Sequence, residues 1–397
     1  MMAAGRAAER GLHVLLIEKN ESLGKKLLIT GGGRCNVTNA EFDVRKFLDK
    51  FKENNKYLFS AFSQWSVKET LAFFNSRKMD TKIEAFNRVF PVSDKAKSVL
   101  DVLVEYIKQG NVAVLSKTAV TGFEVDGDKI ISVKLKNGTN IKAKNFILAT
   151  GGRSRPETGS TGDGFEWLRQ IGHTVVEPEA SLVPIVIQDA WVKRLQGVVL
   201  QDIKATLLLD NIKQSMIKGR VLFTHFGISG PTVLNMSKTV GESLKYGDVI
   251  ISLDILPDLA YDQLNLKLQE IFKENINKKF KNSLGELIPP SLAPIIVELS
   301  GIDGETWSHS VTREQRLSLI QLLKAIPLHV EGLLGVDKAI VTSGGVKLDE
   351  IDFKTMSSRL FPNLYLVGDI LNIDRPSGGY SLQLCWTTGF VAGNSAK

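Results

Sequence analysis

The first twenty residues constrain the fold more than any other stretch. Residues 1–10 are alanine-rich and helix-forming, with small side chains that allow close packing on a neighbour, and Gly11 stops them. A continuous apolar run follows, His13-Val14-Leu15-Leu16-Ile17, closed by the polar Glu18-Lys19-Asn20. Such a run predicts a strand buried on both faces of a parallel sheet. Helix, short turn, buried strand and an acid at the strand's carboxyl end form the second half of a dinucleotide-binding βαβ unit, where the acid accepts hydrogen bonds from ribose hydroxyls. The first half, a strand and a GxGxxG turn, does not precede this helix. The expectation is therefore a truncated reading of a longer protein. Its missing strand would lie between residues 13–17 and 364–367 and leave both with unpaired edges.

Five glycine-bearing signals follow. In GKKLLITGGGRCNVTN (24–39), Gly31, Gly32 and Gly33 let backbone approach a flat or anionic ligand, and Arg34 offers a permanent cation whose fork of donors suits a phosphate oxygen. An apolar strand entering Ala149-Thr150-Gly151-Gly152 predicts a close-approach turn at the carboxyl edge of a parallel sheet. Thr342-Ser343-Gly344-Gly345-Val346 reads as a second glycine turn, and residues 364–367 as a buried strand ending in Gly368-Asp369, an acid placed to accept from a polyol. Pro376-Ser377-Gly378-Gly379-Tyr380 opens a last helix, whose free N–H groups and positive dipole end suit an electron-rich carbonyl or anion.

Between these signals, residues 44–77 read as helix, with Phe47, Phe51, Leu58, Phe62, Trp65, Leu71 and Phe74 as a core-facing stripe, and 96–107 as another helix. Strands are expected at 113–115, 119–125, 130–135 and 141–147, the last three a meander turning at Asp126-Gly127 and Asn137-Gly138. Asp163 is placed as the cap of a further helix. The pattern then changes to short strands over 182–255 and helices over 258–325. The fold class is α/β: a Rossmann-like domain lacking its first strand and GxGxxG loop, with an inserted β-barrel-like and helical domain. The expected domains are 1–189, 190–345 and 346–397.

The longest apolar runs, around 181–187 and 287–299, fall short of the ~20 residues a membrane helix needs. Cys35 and Cys385 are far apart, which excludes a dithiol relay or cysteine zinc cage in cis, and the five histidines show no metal-ligand spacing. Cys35 reads as a small packed residue and Cys385 as core. The net charge of +7 permits anionic partners. The basic cluster at 273–281 is nevertheless read as a solvated helix face rather than a nucleic-acid groove. The start lacks the apolar stretch of a secretory signal, so a cytoplasmic location is expected.

With these pieces in place, the sequence resembles the BaiN-like (YhiN-like) FAD-dependent oxidoreductases, part of the two-dinucleotide-fold flavoproteins, over essentially the whole chain. Its most specific parts are GKKLLITGGGRCNVTN, ATGG, LFTHFGISGP, TSGGV and LYLVGD with GGYSLQ. The resemblance implies FAD as cofactor. It puts Glu18 at the adenosine ribose with Lys19 among the cofactor-binding residues, Gly32, Gly33, Arg34, Cys35 and Asn36 along the FAD, and Val120 at adenine through its backbone. Thr150 and Gly151 would close over the adenosine side, Gly368 and Asp369 would hold the ribityl–pyrophosphate region, and Gly378, Gly379 and Tyr380 would border the flavin ring. Some members are described as reductases of conjugated keto steroids such as dehydro bile acids. Besides the opening strand there are two departures. Ser381 stands where the family's GGYN motif has Asn, and Asn372-Ile373-Asp374-Arg375 stands where it has Asp-x-Asp-Gly.

The expected function is hydride transfer from NAD(P)H through FAD to an electron-poor double bond of a small steroid- or enone-like molecule. His225 and Tyr380 are the candidate catalytic groups. His225 could equally hold its loop, and Tyr380 could donate a proton or pack on the ring. The alternatives are an interaction protein, flavin-binding or flavin-free, and an RNA-modifying flavoprotein. The truncated reading carries the expectation of poor FAD binding.

Overall fold

The computed structural model describes residues 1–335 and 341–397, and their side chains outside 178–181 and 341–343. Two compact units emerge, Met1–Ser181 together with Val336–Lys397, and Leu182–Gly335.

In the first unit, Leu15–Ile17 pairs in parallel with Ala113–Leu115, and Phe146–Leu148 with Leu364–Leu366. Parallel neighbours require crossover connections, and helices supply them. Ala96–Gln109 buries Ala96, Val99, Leu100, Leu103, Tyr106 and Ile107, a spacing of three and four that puts them on one face, and it returns the chain to Ala113–Leu115. The first helix, Met2–Glu9, lies against this helix and the last one, Tyr380–Ser395. Small residues make that possible: a Cβ on Gly393 would stand 2.4 Å from the Ala3 carbonyl oxygen, and one on Gly5 would stand 2.3 Å from the Tyr106 ring.

Several expectations are corrected here. The helix expected over 44–77 is three helices, Val44–Asp49, Asn55–Phe62 and Val67–Asn75. Asp43 caps the first by accepting from the Arg45 and Lys46 amides, and Ser66 with Glu69 forms a capping box on the third. The aromatic stripe is core, with Phe47, Phe51, Phe62 and Phe74 buried. The strand expected over 141–147 splits. Asn140–Lys142 completes the meander, and Phe146–Leu148 leaves for the parallel sheet. Asp163 is not the cap: Gly162, at φ 86°, holds that position and Asp163 opens the helix Asp163–Gln170.

The residues expected to form a glycine turn at Thr342-Ser343-Gly344-Gly345-Val346 lie in a strand, Val341–Val346, antiparallel to Val175–Ser181. A Cβ on Gly344 would stand 2.5 Å from the Glu177 carbonyl oxygen, so glycine serves close strand approach there. The side chains of Thr342 and Ser343 lie outside the described residues, as do residues 336–340 of the expected inserted domain. Leu364–Leu366 has no open edge, because Ser357–Ser358 covers the side away from Phe146–Leu148. Among the described residues, the parallel strands paired on one side only are Leu15–Ile17, Ala113–Leu115 and Phe146–Leu148.

The second unit is a closed barrel in the order Ile185–Ile187, Gly227–Ser229, Ile212–Phe223, Val199–Leu209, Val249–Asp254, Ile326–Leu333, with helices Tyr261–Glu274, Ala293–Ser300 and Arg313–Lys324. Two of its strands are long rather than short. Val199–Leu209 and Ile212–Phe223 meet at Asp210-Asn211, both at positive φ (48° and 65°), the hand that a two-residue hairpin turn needs. This unit starts at Leu182 rather than 190 because Ile185–Ile187 pairs within the barrel, while Val341–Val346 pairs within the first unit. Among the described residues no helix is long and apolar enough to cross a membrane.

Candidate cofactor site

Three segments sit at the carboxyl ends of parallel strands in the first unit: Glu18 to Asn20, Thr150-Gly151, and Gly368-Asp369. Open α/β sheets bind ligands at those ends. The Glu18 carboxylate accepts from the Asn20 amide and from Asn20 Nδ2, both at 2.8 Å, and Nδ2 also donates to the Thr158 carbonyl oxygen at 3.0 Å. Lys19 Nζ donates to Thr161 Oγ1 (2.6 Å) and Asp163 Oδ2 (2.7 Å). Burial would raise Asp163, but the Lys19 and Thr161 hydrogen bonds outweigh it and hold the carboxyl below its ordinary value. Lys19, Asn20 and Asp163 open onto a cleft of about 640 Å³ lined also by Val120, Glu157 and Trp167 among others. The cleft brings together Lys19 and Val120, two predicted positions a hundred residues apart in sequence.

The glycine loop follows the short helix Lys25–Leu28. Gly31, Gly32 and Gly33 take φ of 56°, 67° and 87°, the left-handed region that favours glycine. A Cβ on Gly31 would stand 2.9 Å from the Asn36 amide nitrogen, whereas Gly32 and Gly33 face open space. Asn36 Oδ1 and Thr150 Oγ1 are buried without a hydrogen-bond partner. Arg34 is engaged elsewhere in the same unit: Nε donates to Asp94 (2.9 Å), Nη1 to Glu84 (3.2 Å), and the guanidinium lies 4.1 Å from the Phe90 ring centroid. Its charge is thus matched by two carboxylates. Cys35 is fully buried, which pushes its thiol up to about 11, so it is a neutral packing group at pH 7.

Asp369 is ion-paired with the buried Arg375 through Oδ1, and its Oδ2 lies 3.8 Å from Lys26 Nζ. Burial would raise this carboxyl, yet the charges of Arg375 and Lys26 outweigh it and hold the group below its ordinary value. Lys26 Nζ also donates to Ser154 Oγ (2.9 Å) and Ser160 Oγ (3.4 Å). Cys385, expected in the core, is only partly buried, with Sγ 3.9 Å from Asp369 Oδ1; burial first, then the Asp369 charge, pushes its thiol up to about 12.

The start of the last helix is pressed onto strand Thr38–Asn39. A Cβ on Gly379 (φ 103°) would stand 2.3 Å from the Thr38 carbonyl carbon, Asn39 Nδ2 donates to the Gly378 carbonyl oxygen at 3.2 Å, and Thr38 Oγ1 donates to Gln383 Oε1 at 2.7 Å. Tyr380 is buried, its ring centroid 4.8 Å from that of Phe47 and 6.1 Å from that of Phe51, and burial raises its phenol above the ordinary value. His225 belongs to the second unit. It is exposed in the turn closed by the Thr224 amide and Gly227 carbonyl (2.8 Å), with its ring edge-on to Phe226, and the neighbouring Thr224 Oγ1 is buried without a partner. In the basic cluster, Lys279 sits 3.6 Å from the Trp307 ring centroid and Lys281 pairs with Glu305. Among the described residues no group of three or more His, Cys, Asp or Glu side chains could hold a metal.

Sequence reasoning missed Asn20, Lys26, Trp167 and Arg375. Asn20 directly follows the predicted acid, and Lys26 lies inside the quoted glycine motif, so both had a local signal. Trp167 and Arg375 join the site only through the fold.

The sequence pattern of the HI0933-like protein Rossmann domain matches residues 1–395. The chain is 30% identical over 403 residues to a 3-dehydro-bile acid delta(4,6)-reductase of Clostridium scindens, covering 100% of this chain and 95% of that protein. It is 28% identical over 398 residues to a ribosomal RNA dihydrouridine synthase of Escherichia coli, covering 98% and 94%. Among solved structures it resembles an open flavocytochrome c3 fumarate reductase (TM-score 0.54, 16% identity, 99% of this chain and 75% of that one), a likeness of fold. The chain belongs to the HI0933-like Rossmann family and is an FAD-dependent oxidoreductase.

Proposed function

We propose that this protein reduces a carbon–carbon double bond conjugated to a carbonyl in a small organic molecule, with FAD in the first unit and NAD(P)H as electron donor. The observation that carries the cofactor placement is the pair of buried, unpartnered polar atoms, Asn36 Oδ1 and Thr150 Oγ1. Native proteins rarely leave such atoms unpaired, and a ligand rich in hydroxyl and amide groups would satisfy both. The open space beside Gly32 and Gly33 fits the same ligand.

FAD, when bound, supplies the hydride chemistry. The protein's part is to bind and orient. Glu18, held by Asn20, accepts from the ribose hydroxyls, and Val120 and Trp167 flank the adenine cleft. Lys26 offsets phosphate charge, Asp369 accepts from the ribityl chain, and the first turn of the last helix presents amides to the flavin carbonyls. Tyr380 packs on Phe47 and holds that helix start.

The names of the two relatives support the reaction class. A delta(4,6)-reductase of a 3-keto compound and a dihydrouridine synthase each saturate a double bond in conjugation with a carbonyl. Charge favours the small substrate. The second unit carries sixteen Lys and Arg against sixteen Asp and Glu, and so has no net charge for a phosphate backbone. The second reading, reduction of uracil in RNA, draws on the names of the Escherichia coli and Haemophilus influenzae relatives and on the +7 carried by the rest of the chain.

One experiment separates the two. The flavin-loaded protein is reduced anaerobically with NADH or NADPH, then mixed with a 3-keto-Δ4,6-steroid or with ribosomal RNA, and products are read by mass spectrometry. A steroid gaining two hydrogens supports the proposal. Dihydrouridine alone supports the second reading. No bleaching by either nicotinamide overturns the proposed donor.

A further inference from the structure

Arg375 is the least expected group of the first unit. Its side chain is fully buried, and a buried guanidinium is tolerated only where its donors are paired. Here the fork is used on three sides: Nε donates to Ser381 Oγ at 3.1 Å, Nη1 to the Ile373 carbonyl oxygen, and Nη2 to Asp369 Oδ1.

We propose that Arg375, steadied by Ser381, is a positioning residue of the cofactor site. It binds Asp369 Oδ1 and leaves Oδ2 as the acceptor offered to the ribityl hydroxyls. The proposal rests on the reading that Asp369 faces FAD. The groups around Asp369 are Lys26 from the glycine-loop helix, Arg375 from the preceding loop and Cys385 from the last helix. The charges of Arg375 and Lys26 keep Asp369 ionised in spite of its burial. A guanidinium fork fixes a carboxylate's orientation as well as its charge, which an ammonium does not.

The test uses full-length protein freed of flavin and reads FAD binding by quenching of flavin fluorescence from pH 4 to 9, alongside urea unfolding of the flavin-free form. Arg375→Gln is expected to weaken FAD binding at least tenfold at pH 7.5 and to move the acid loss of binding to higher pH, because Asp369 then protonates more readily. Arg375→Lys is expected to restore the acid limb but only part of the affinity. Ser381→Ala is expected to move both readouts in the same direction by a smaller amount, severalfold in affinity, and it decides the matter if Arg375→Gln does not fold. Affinity within twofold of the parent and an unmoved acid limb in the folded variants overturn the proposal. A merely structural Arg375 would lower urea resistance without moving the acid limb. A parent protein that binds no FAD overturns the cofactor reading itself.

Discussion

Thr150 Oγ1 sits buried with nothing to bond, and the sign of its contribution can be tested. An unsatisfied buried hydroxyl costs about 1–3 kcal/mol, while an apolar group of the same shape costs nothing comparable. Thr150→Val is therefore expected to raise the stability of the flavin-free protein by about 1 kcal/mol and to weaken FAD binding by about tenfold. Urea unfolding and a flavin titration on one preparation read both effects. A loss of stability with unchanged affinity would mean that the hydroxyl serves the fold. The same scale shows what the sequence made legible. Glu18 and Asp369 could be read because an acid after an apolar strand is a local pattern. The partners that orient them divide by distance. Asn20 is two residues from Glu18, whereas Lys26 reaches Ser154 across 128 positions. Arg34 illustrates the opposite difficulty. Its charge was plain in the sequence, but Glu84 and Asp94, which the fold brings beside it, were not.

Among elements, His173 joins three. It follows the helix Asp163–Gln170, and its Nδ1 lies 2.7 Å from Glu350 Oε2 and its Nε2 3.0 Å from Ser358 Oγ. Burial lowers its pKa below the ordinary 6.5, with the Glu350 hydrogen bond and charge opposing the shift. The unfolded chain therefore takes up the proton first as pH falls. Stability from this latch is complete above about pH 6.5 and declines as pH drops through the lower folded value. Glu350 is also lowered: burial would raise it, but hydrogen bonds from Thr174 and His173 prevail, so its share declines only below about 4.5. The urea midpoint of the parent is expected to be level from pH 8 to 6.5 and to fall towards pH 5, and His173→Gln to flatten that fall. A parent midpoint that stays level to pH 5 would remove the argument. Element types were legible wherever one periodicity ran unbroken, as in Ala96–Gln109. They were lost where capping by Asp43 and Ser66 cut an aromatic stripe into three helices, and where Gly344 and Gly345 served strand contact instead of a turn.

At the scale of the whole molecule, the change of pattern after residue 182 announced a second unit. Its exact start was hidden because Ile185–Ile187 is as apolar as any strand of the parallel sheets. The barrel resolves the ambiguity by closing. Its first strand pairs with its last, Ile185 opposite Leu333, and the Leu334 amide donates to the Pro184 carbonyl oxygen at 3.1 Å. The chain thus enters and leaves this unit at one place, the arrangement that makes inserted domains separable. One continuous core fills it, from Ile185 through Phe223, Leu253 and Phe280 to Val330, with every member inside Leu182–Gly335. Closure gives every barrel strand a neighbour on both sides, although Ile212–Phe223 meets its second neighbour only at Leu222 and Phe223. Residues 182–335 expressed alone are therefore expected to fold, to unfold in urea in a single cooperative transition, and to bind no FAD, since the Asn36 and Thr150 loops lie in the other unit. Far-UV circular dichroism, fluorescence of Trp191 and Trp307 and a flavin titration check the three statements. Non-coincident transitions would show that the barrel draws its stability from residues outside 182–335, and retained flavin would move the cofactor site into the barrel.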